Sequence, residues 1–222
     1  MEKIAGNGRR ISRIIFNAAL ICCGGVGVAL TLMRLDAAMA LSAFTIQSNL
    51  LCLVAAGVTL AHETARRNHK GKTYIFFKGM ALTSILLTFF IYNFVLKPYF
   101  NATNQTQGGS LMDTLIHVVV PLMALVDFLV FEEKGRFRPW HPLGWTAFPI
   151  YYIGYTAVYK AFGGVYKFSE GAAAKFPYFF LDYETYGLKT VGIWVLFIAI
   201  GFIGFSYLLF GLDRVLAKIK KV

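Results

Sequence analysis

Six runs of about 20 predominantly apolar residues, each long enough to cross a bilayer core as a helix, constrain this chain more than any other feature. They fall at residues 11–33, 44–61, 74–96, 111–131, 143–162 and 188–212. In hydrocarbon a segment must satisfy its backbone amides and carbonyls internally, so apolar runs of this length fold as helices. The mean hydropathy of +0.60 and charged fraction of 15% are those of a membrane chain, not of a soluble domain. The runs take up most of the sequence and leave no room for a soluble domain. The sequence therefore predicts an all-α membrane protein: one transmembrane domain over residues 1–222, built as a six-transmembrane-helix bundle.

A net charge of +11 raises the question of nucleic acid, and the distribution of the charge argues against it. With the N-terminus assigned to the cytoplasm, 16 of the 22 Lys and Arg residues fall on that side. That bias is the positive-inside signature, so both termini are expected in the cytoplasm and the basic residues are read as orientation. The first apolar run is too long for a signal peptide and has no small-residue cleavage site ahead of a soluble domain, so it reads as a span. Cys22, Cys23 and Cys52 all lie within spans and read as packing residues rather than a disulfide framework. Gly24, Gly25 and Gly27 fit close helix approach. Two outer segments exceed turn length. One carries the sequons Asn101-Ala102-Thr103 and Asn104-Gln105-Thr106. The other, 163–187, is rich in aromatics, including Tyr166, Phe168, Tyr178 and Phe180. It fits either an interfacial belt or a lid over a site that opens outward.

Polar residues break the apolar runs at matching depth, and an intramembrane polar cluster is a functional-site hypothesis by default. His117 lies roughly 9 Å below the start of the fourth run at 1.5 Å per residue. His62, His69 and His141 fall on the inner side, so His117 is the one imidazole available to chemistry within the membrane. Asp113, four residues earlier, shares its face. It fits two roles: a carboxylate that orients the imidazole, or one half of a Ser110-x-x-Asp113 capping box. Pro121 has no amide to give, so it frees a backbone acceptor beside His117 and kinks the helix. Thr45, Ser48 and Asn49 form one stripe at the start of the second run. A threonine hydroxyl becomes a nucleophile once a base removes its proton, and alone it would read as a helix cap. Asn49 and Asn93 fit either donation to an oxyanion or polar contact between helices. Asp127, roughly 15 Å deeper than His117, is expected to cap or pair near the inner surface, with Arg136 or Lys134. No His, Cys or carboxylate spacing fits a metal site, and no cofactor motif is present.

The stretches FTIQSNLL, IYNFVLKP, HVVVPLMALVDF and FPYFFLDYETYG together resemble a bacterial group of six-helix membrane proteins. That group is similar to the eukaryotic androgen-induced-gene family of membrane threonine hydrolases. The resemblance to the bacterial group runs from the second span to the start of the sixth. To the eukaryotic enzymes it narrows to a threonine opening the second span and a histidine near the outer start of the fourth. It implies hydrolysis of fatty acid esters of hydroxy fatty acids, with the essential threonine and histidine falling on Thr45 and His117. One departure is that the eukaryotic proline stands one residue further from the histidine than Pro121 does here, which changes the carbonyl it frees.

The sequence thus predicts an integral, multi-pass protein of the cytoplasmic membrane, if its source is bacterial. The expected function is an intramembrane lipid-ester hydrolase with a Thr45 nucleophile and a His117 base. Asn49, Asn93, Ser48 and Asp113 stand in support, with no metal and no cofactor. The expected partner is a membrane lipid or fatty-acyl ester. Two alternatives use the same cluster: a non-catalytic lipid-binding or transport protein that holds a head group, and a membrane subunit whose polar residues only lock helix packing.

Overall fold

The computed structural model describes residues 2–66, 71–103, 110–167 and 174–219. His69, Phe168 and the sequon beginning at Asn104 lie outside them. All the long elements are helices. In chain order they are α1 (Glu2–Arg34), α2 (Ala37–Leu41), α3 (Phe44–Thr64), α4 (Lys72–Ala102), α5 (Leu111–Phe131), α6 (His141–Trp145), α7 (Ala147–Ala161) and α8 (Tyr183–Ile219). Five of these, α1, α3, α4, α5 and α8, are long and apolar enough to cross a membrane.

The expected fifth span is divided. Residues 143–162 form not one helix but α6 and the 15-residue α7, which meet at Thr146. Fifteen residues reach about 22 Å at 1.5 Å each, short of the roughly 30 Å hydrocarbon core. Proline explains the break: Pro142 starts α6 and Pro149 lies in the first turn of α7, where a missing amide costs no helical hydrogen bond. In α8, Gly187 adopts a left-handed backbone (φ 79°) that breaks the helix just before the expected span at 188.

The bundle packs around α4, whose middle turns, from Gly79 to Leu86, are buried throughout. Leu20, Cys52, Ile85, Leu86, Val120 and Phe202 meet there from α1, α3, α4, α5 and α8. Small residues set the close approaches. A Cβ on Gly79 would stand 2.2 Å from the buried Trp145 ring, and one on Gly27 would stand 2.6 Å from Ile116. Gly24 likewise meets Leu53, whereas Gly25 touches nothing within 4 Å, so two of the three expected packing glycines take that role. All three cysteines are free, and only Cys52 is fully in the core.

Arginines of α1 close the ends of its neighbours. Arg9 donates to the Val130 carbonyl at 2.9 Å and Arg10 to the Glu63 carbonyl at 2.7 Å. Each places a cation at a helix C-terminus, where the macrodipole is negative.

At that same end, charges lie inside the bundle. Lys78 of α4 bonds Asp127 of α5 at 2.5 Å and Glu132 at 2.7 Å. Arg13 of α1 pairs with Glu132 and, at 3.1 Å, with Glu63. Asn17 donates to Asp127 at 2.8 Å. This corrects the expected partners of Asp127: Arg136 pairs instead with Glu133, and Lys134 donates to the Phe128 carbonyl. The reason is depth. Asp127 is 1% exposed, a full turn inside the loop that carries Lys134 and Arg136, and Lys78 already faces it across α4 and α5.

Candidate active site at the opposite end of the bundle

His117 sits within a π-helical turn, Leu115–Val119, inside α5. Such single turns are frequent at functional sites. In this register the amide of residue 121 would serve the carbonyl five residues earlier, and Pro121 has none. Asn49 of α3 fills the vacancy by donating to the Ile116 carbonyl at 3.1 Å, and also donates to the Thr45 carbonyl at 2.7 Å. Asn93 sits in a second π-helical turn, Tyr92–Leu96 of α4. It donates to the His117 carbonyl at 3.4 Å and to the Phe89 carbonyl at 2.8 Å. Both side-chain amides thus spend both hydrogens on backbone. They hold α3, α4 and α5 in register and have no donor left for a ligand.

The structure brings Thr45 and His117 together: Thr45 Oγ1 lies 3.3 Å from His117 Nε2. The other ring nitrogen, Nδ1, is 3.1 Å from the Asp113 carbonyl oxygen. A carbonyl only accepts, so in the neutral ring Nδ1 carries the hydrogen and Nε2 turns its lone pair toward the Thr45 hydroxyl. Tyr92 stacks flat on the imidazole, with centroids 3.5 Å apart and planes 6° apart, and fixes its plane.

Asp113 divides its two expected roles between its parts. Its carboxylate accepts from Ser110 Oγ at 2.7 Å while its amide donates back to Ser110 Oγ at 3.2 Å, a closed cap at the start of α5. Asp113 Oδ1 is 3.9 Å from His117 Nδ1, beyond hydrogen-bond range, so the group that orients the imidazole is the backbone carbonyl. Ser48 is fully buried and bonds the Thr45 carbonyl at 3.0 Å and Thr88 at 2.7 Å. It braces the turn that presents Thr45 rather than facing the site.

Two cavities meet at Thr45. One, of about 230 Å³, runs between α4, α7 and α8 and is lined by Leu87, Ile91, Ile153, Ile198 and Phe202. The other, of about 100 Å³, contains His117, Asp113, Met112 and Ile116. Thr45, Tyr92, Leu96 and Tyr178 line both.

Tyr178 belongs to the aromatic segment after α7, and its position could not be read from the sequence beyond its place in an aromatic run. Several of its described residues pack into the bundle. Tyr166 is 1% exposed, Phe180 packs on Tyr92 and Leu96, and the Lys167 amide meets Met39 Sδ. Tyr178 stands beside Thr45 and lines both cavities with it. Burial pushes its phenol above the ordinary value, and contact with Thr45 offsets part of that rise. At neutral pH it is an uncharged donor. Comparison with protein-family models, curated proteins and solved structures finds no match to this chain.

Proposed function

We propose that this chain is an intramembrane hydrolase of lipid esters, such as fatty acid esters of hydroxy fatty acids, with Thr45 as nucleophile and His117 as base. The observation that carries this reading is the 3.3 Å approach of Thr45 Oγ1 to His117 Nε2, with Nδ1 committed to the Asp113 carbonyl. A hydroxyl, a base and a group that orients the base form the working unit of nucleophilic ester hydrolysis, whatever the fold. Thr45 attacks the ester carbonyl as its proton passes to Nε2. His117 then returns the proton to the departing alcohol, and water repeats the sequence to release the acid. The apolar cavity between α4, α7 and α8 suits an acyl chain.

The proposal includes a topology of six crossings with both termini cytoplasmic and the site in the outer half. The Lys and Arg distribution supports it. So does the combined reach of α6 and α7, which together run from His141 to Ala161.

The test is reaction of the detergent-purified protein with a fluorophosphonate, which is displaced at phosphorus by an activated hydroxyl, followed by mass mapping. The expected result is one adduct at Thr45 that requires His117. A folded, unlabelled protein that carries co-purified lipid would instead support the second reading, a lipid-binding or transport protein, which the apolar cavity also fits.

Asp113→Asn separates the two roles of that residue. The backbone carbonyl is unchanged, so kcat is expected to stay at the wild-type level. Loss of the charge from the first turn of α5 is expected to cost about 0.3–1 kcal/mol of stability. Kinetics on a long-chain p-nitrophenyl ester and thermal unfolding in the same detergent read the two effects.

A further inference from the structure

The tetrahedral oxyanion of ester hydrolysis needs donors, and the two asparagines that suit the task are spent on backbone carbonyls. The unspent donors are at the start of α3. Its N-cap is Ala43, which has no side chain to cap with. The Ile46 and Gln47 amides both turn to the Ala43 carbonyl, at 3.1 Å each, while the Phe44 and Thr45 amides find no backbone acceptor among the described residues. The positive end of a 21-residue helix is thereby left open beside the nucleophile. A second feature lies over it. The Tyr152 hydroxyl, in a side chain only 4% exposed, has no hydrogen-bond partner among the described residues, and its ring packs 6.4 Å from that of Tyr178 on the wall of the larger cavity.

We propose that Tyr178 is a further catalytic residue: its hydroxyl, with the Thr45 amide, holds the oxyanion that forms when Thr45 attacks an ester, and Tyr152 positions it. The inference rests on the hydrolase reading above. As the bond from Thr45 Oγ1 to the carbonyl carbon forms, the carbonyl π pair moves onto oxygen. That oxygen accepts from the Tyr178 O–H and the Thr45 N–H while His117 holds the proton from Thr45. On collapse the pair returns to the carbonyl, the ester C–O bond breaks, and the leaving oxygen takes the proton from His117. Tyr178 keeps its own proton throughout. The donor set combines a partly buried phenol with the amide of the nucleophile, both preorganised where negative charge develops. The two cavities meeting at Tyr178 and Thr45 place the substrate's two arms on either side of that oxygen.

The test compares wild type with Tyr178→Phe on three probes: p-nitrophenyl octanoate, an alkyl trifluoromethyl ketone that adds to the nucleophile as a tetrahedral adduct, and an alkyl phenyl ether that binds without reacting. The expected result is a fall in kcat of about 10²–10³-fold, the size of effect seen on losing one oxyanion donor. Inhibition by the ketone should weaken by a comparable factor. KM and ether binding should be unchanged. A merely structural role would lower ether binding and thermal stability together with kcat, and that result overturns the proposal. So does a Tyr178→Phe enzyme with wild-type kcat, which leaves the hydrolase reading intact. If wild type neither cleaves the ester nor takes a fluorophosphonate at Thr45, the hydrolase reading itself is lost and this inference with it. Should Tyr178→Phe fail to fold, p-aminophenylalanine at 178 keeps a donor in place and p-methoxyphenylalanine does not. Hydrolysis is then expected only from the former, and equal rates overturn the proposal.

Discussion

Substituting His117 by alanine is expected to lower kcat for ester hydrolysis by about 10²–10⁴-fold, the range that a positioned general base contributes. Thr45→Ala removes the attacking atom and is expected to abolish turnover and fluorophosphonate labelling alike. The pair acts as one unit, with the hydroxyl proton shared along a single 3.3 Å contact. The double variant should therefore be no slower than Thr45→Ala alone, since members of such a unit are grossly non-additive. Thr45→Ser keeps a hydroxyl at the same place and should retain part of the activity, so a rate equal to that of Thr45→Ala would point away from nucleophilic attack. Single-turnover kinetics separate these outcomes from changes in binding. The surrounding bonds suggest that the scaffold survives these changes. The Ile116 and His117 carbonyls keep their asparagine donors when the imidazole is gone, because those bonds run through backbone. If His117→Ala were to unfold the protein while the wild type hydrolysed nothing, the residue would be a packing element.

Much of this arrangement is legible in one dimension. Apolar length predicts the five long helices, because a segment in hydrocarbon has no other way to satisfy its backbone. Thr45 and His117 are found because a polar group inside an apolar run needs a reason, and depth along each helix is a matter of counting. What counting cannot supply is rotation and neighbour order. Asn49 and Asn93 have the right chemistry for an oxyanion. Only the packing of α3 and α4 against α5 reveals that Pro121 has left carbonyls there that claim both amides. Asp113 is ambiguous in sequence because one residue offers a carboxylate and a carbonyl one turn from the imidazole, and the cap at Ser110 takes the carboxylate. Residues 143–162 form two helices rather than one because hydropathy averages over Pro149 and misses the division at Thr146. Tyr178 is one ring among several in an aromatic run, and its contact with Thr45 joins residues more than 130 positions apart.

Lys78→Met is expected to destabilise the fold by about 3–5 kcal/mol, the cost of leaving a buried charge without its partner. The lysine bonds Asp127, Glu132 and the Thr59 hydroxyl at once, at 2.5, 2.7 and 2.8 Å. Removing it takes the lysine from Asp127 and Glu132, which keep contacts with Arg13, Asn17 and Tyr74. Asp127 is 1% exposed and cannot turn to water. The sequence gives a hint of this cluster, since Arg13 and Lys78 stand inside otherwise apolar runs at the same end as Asp127. It does not pair them, because pairing depends on which helices adjoin. Removing the Asp127 charge as well should reverse the loss: Lys78→Met with Asp127→Leu replaces an ion pair by apolar side chains of similar size, an exchange that is often neutral or stabilising. A double-mutant cycle from unfolding in detergent measures the coupling, and near-additive losses would show that the two charges are not a pair. The same variants divide scaffold from chemistry. Asp127 is ten residues from His117, roughly 15 Å along the helix, so the folded double variant is expected to keep wild-type kcat. A large loss of kcat in a variant of normal stability would tie the charged end of the bundle to the reaction at the other.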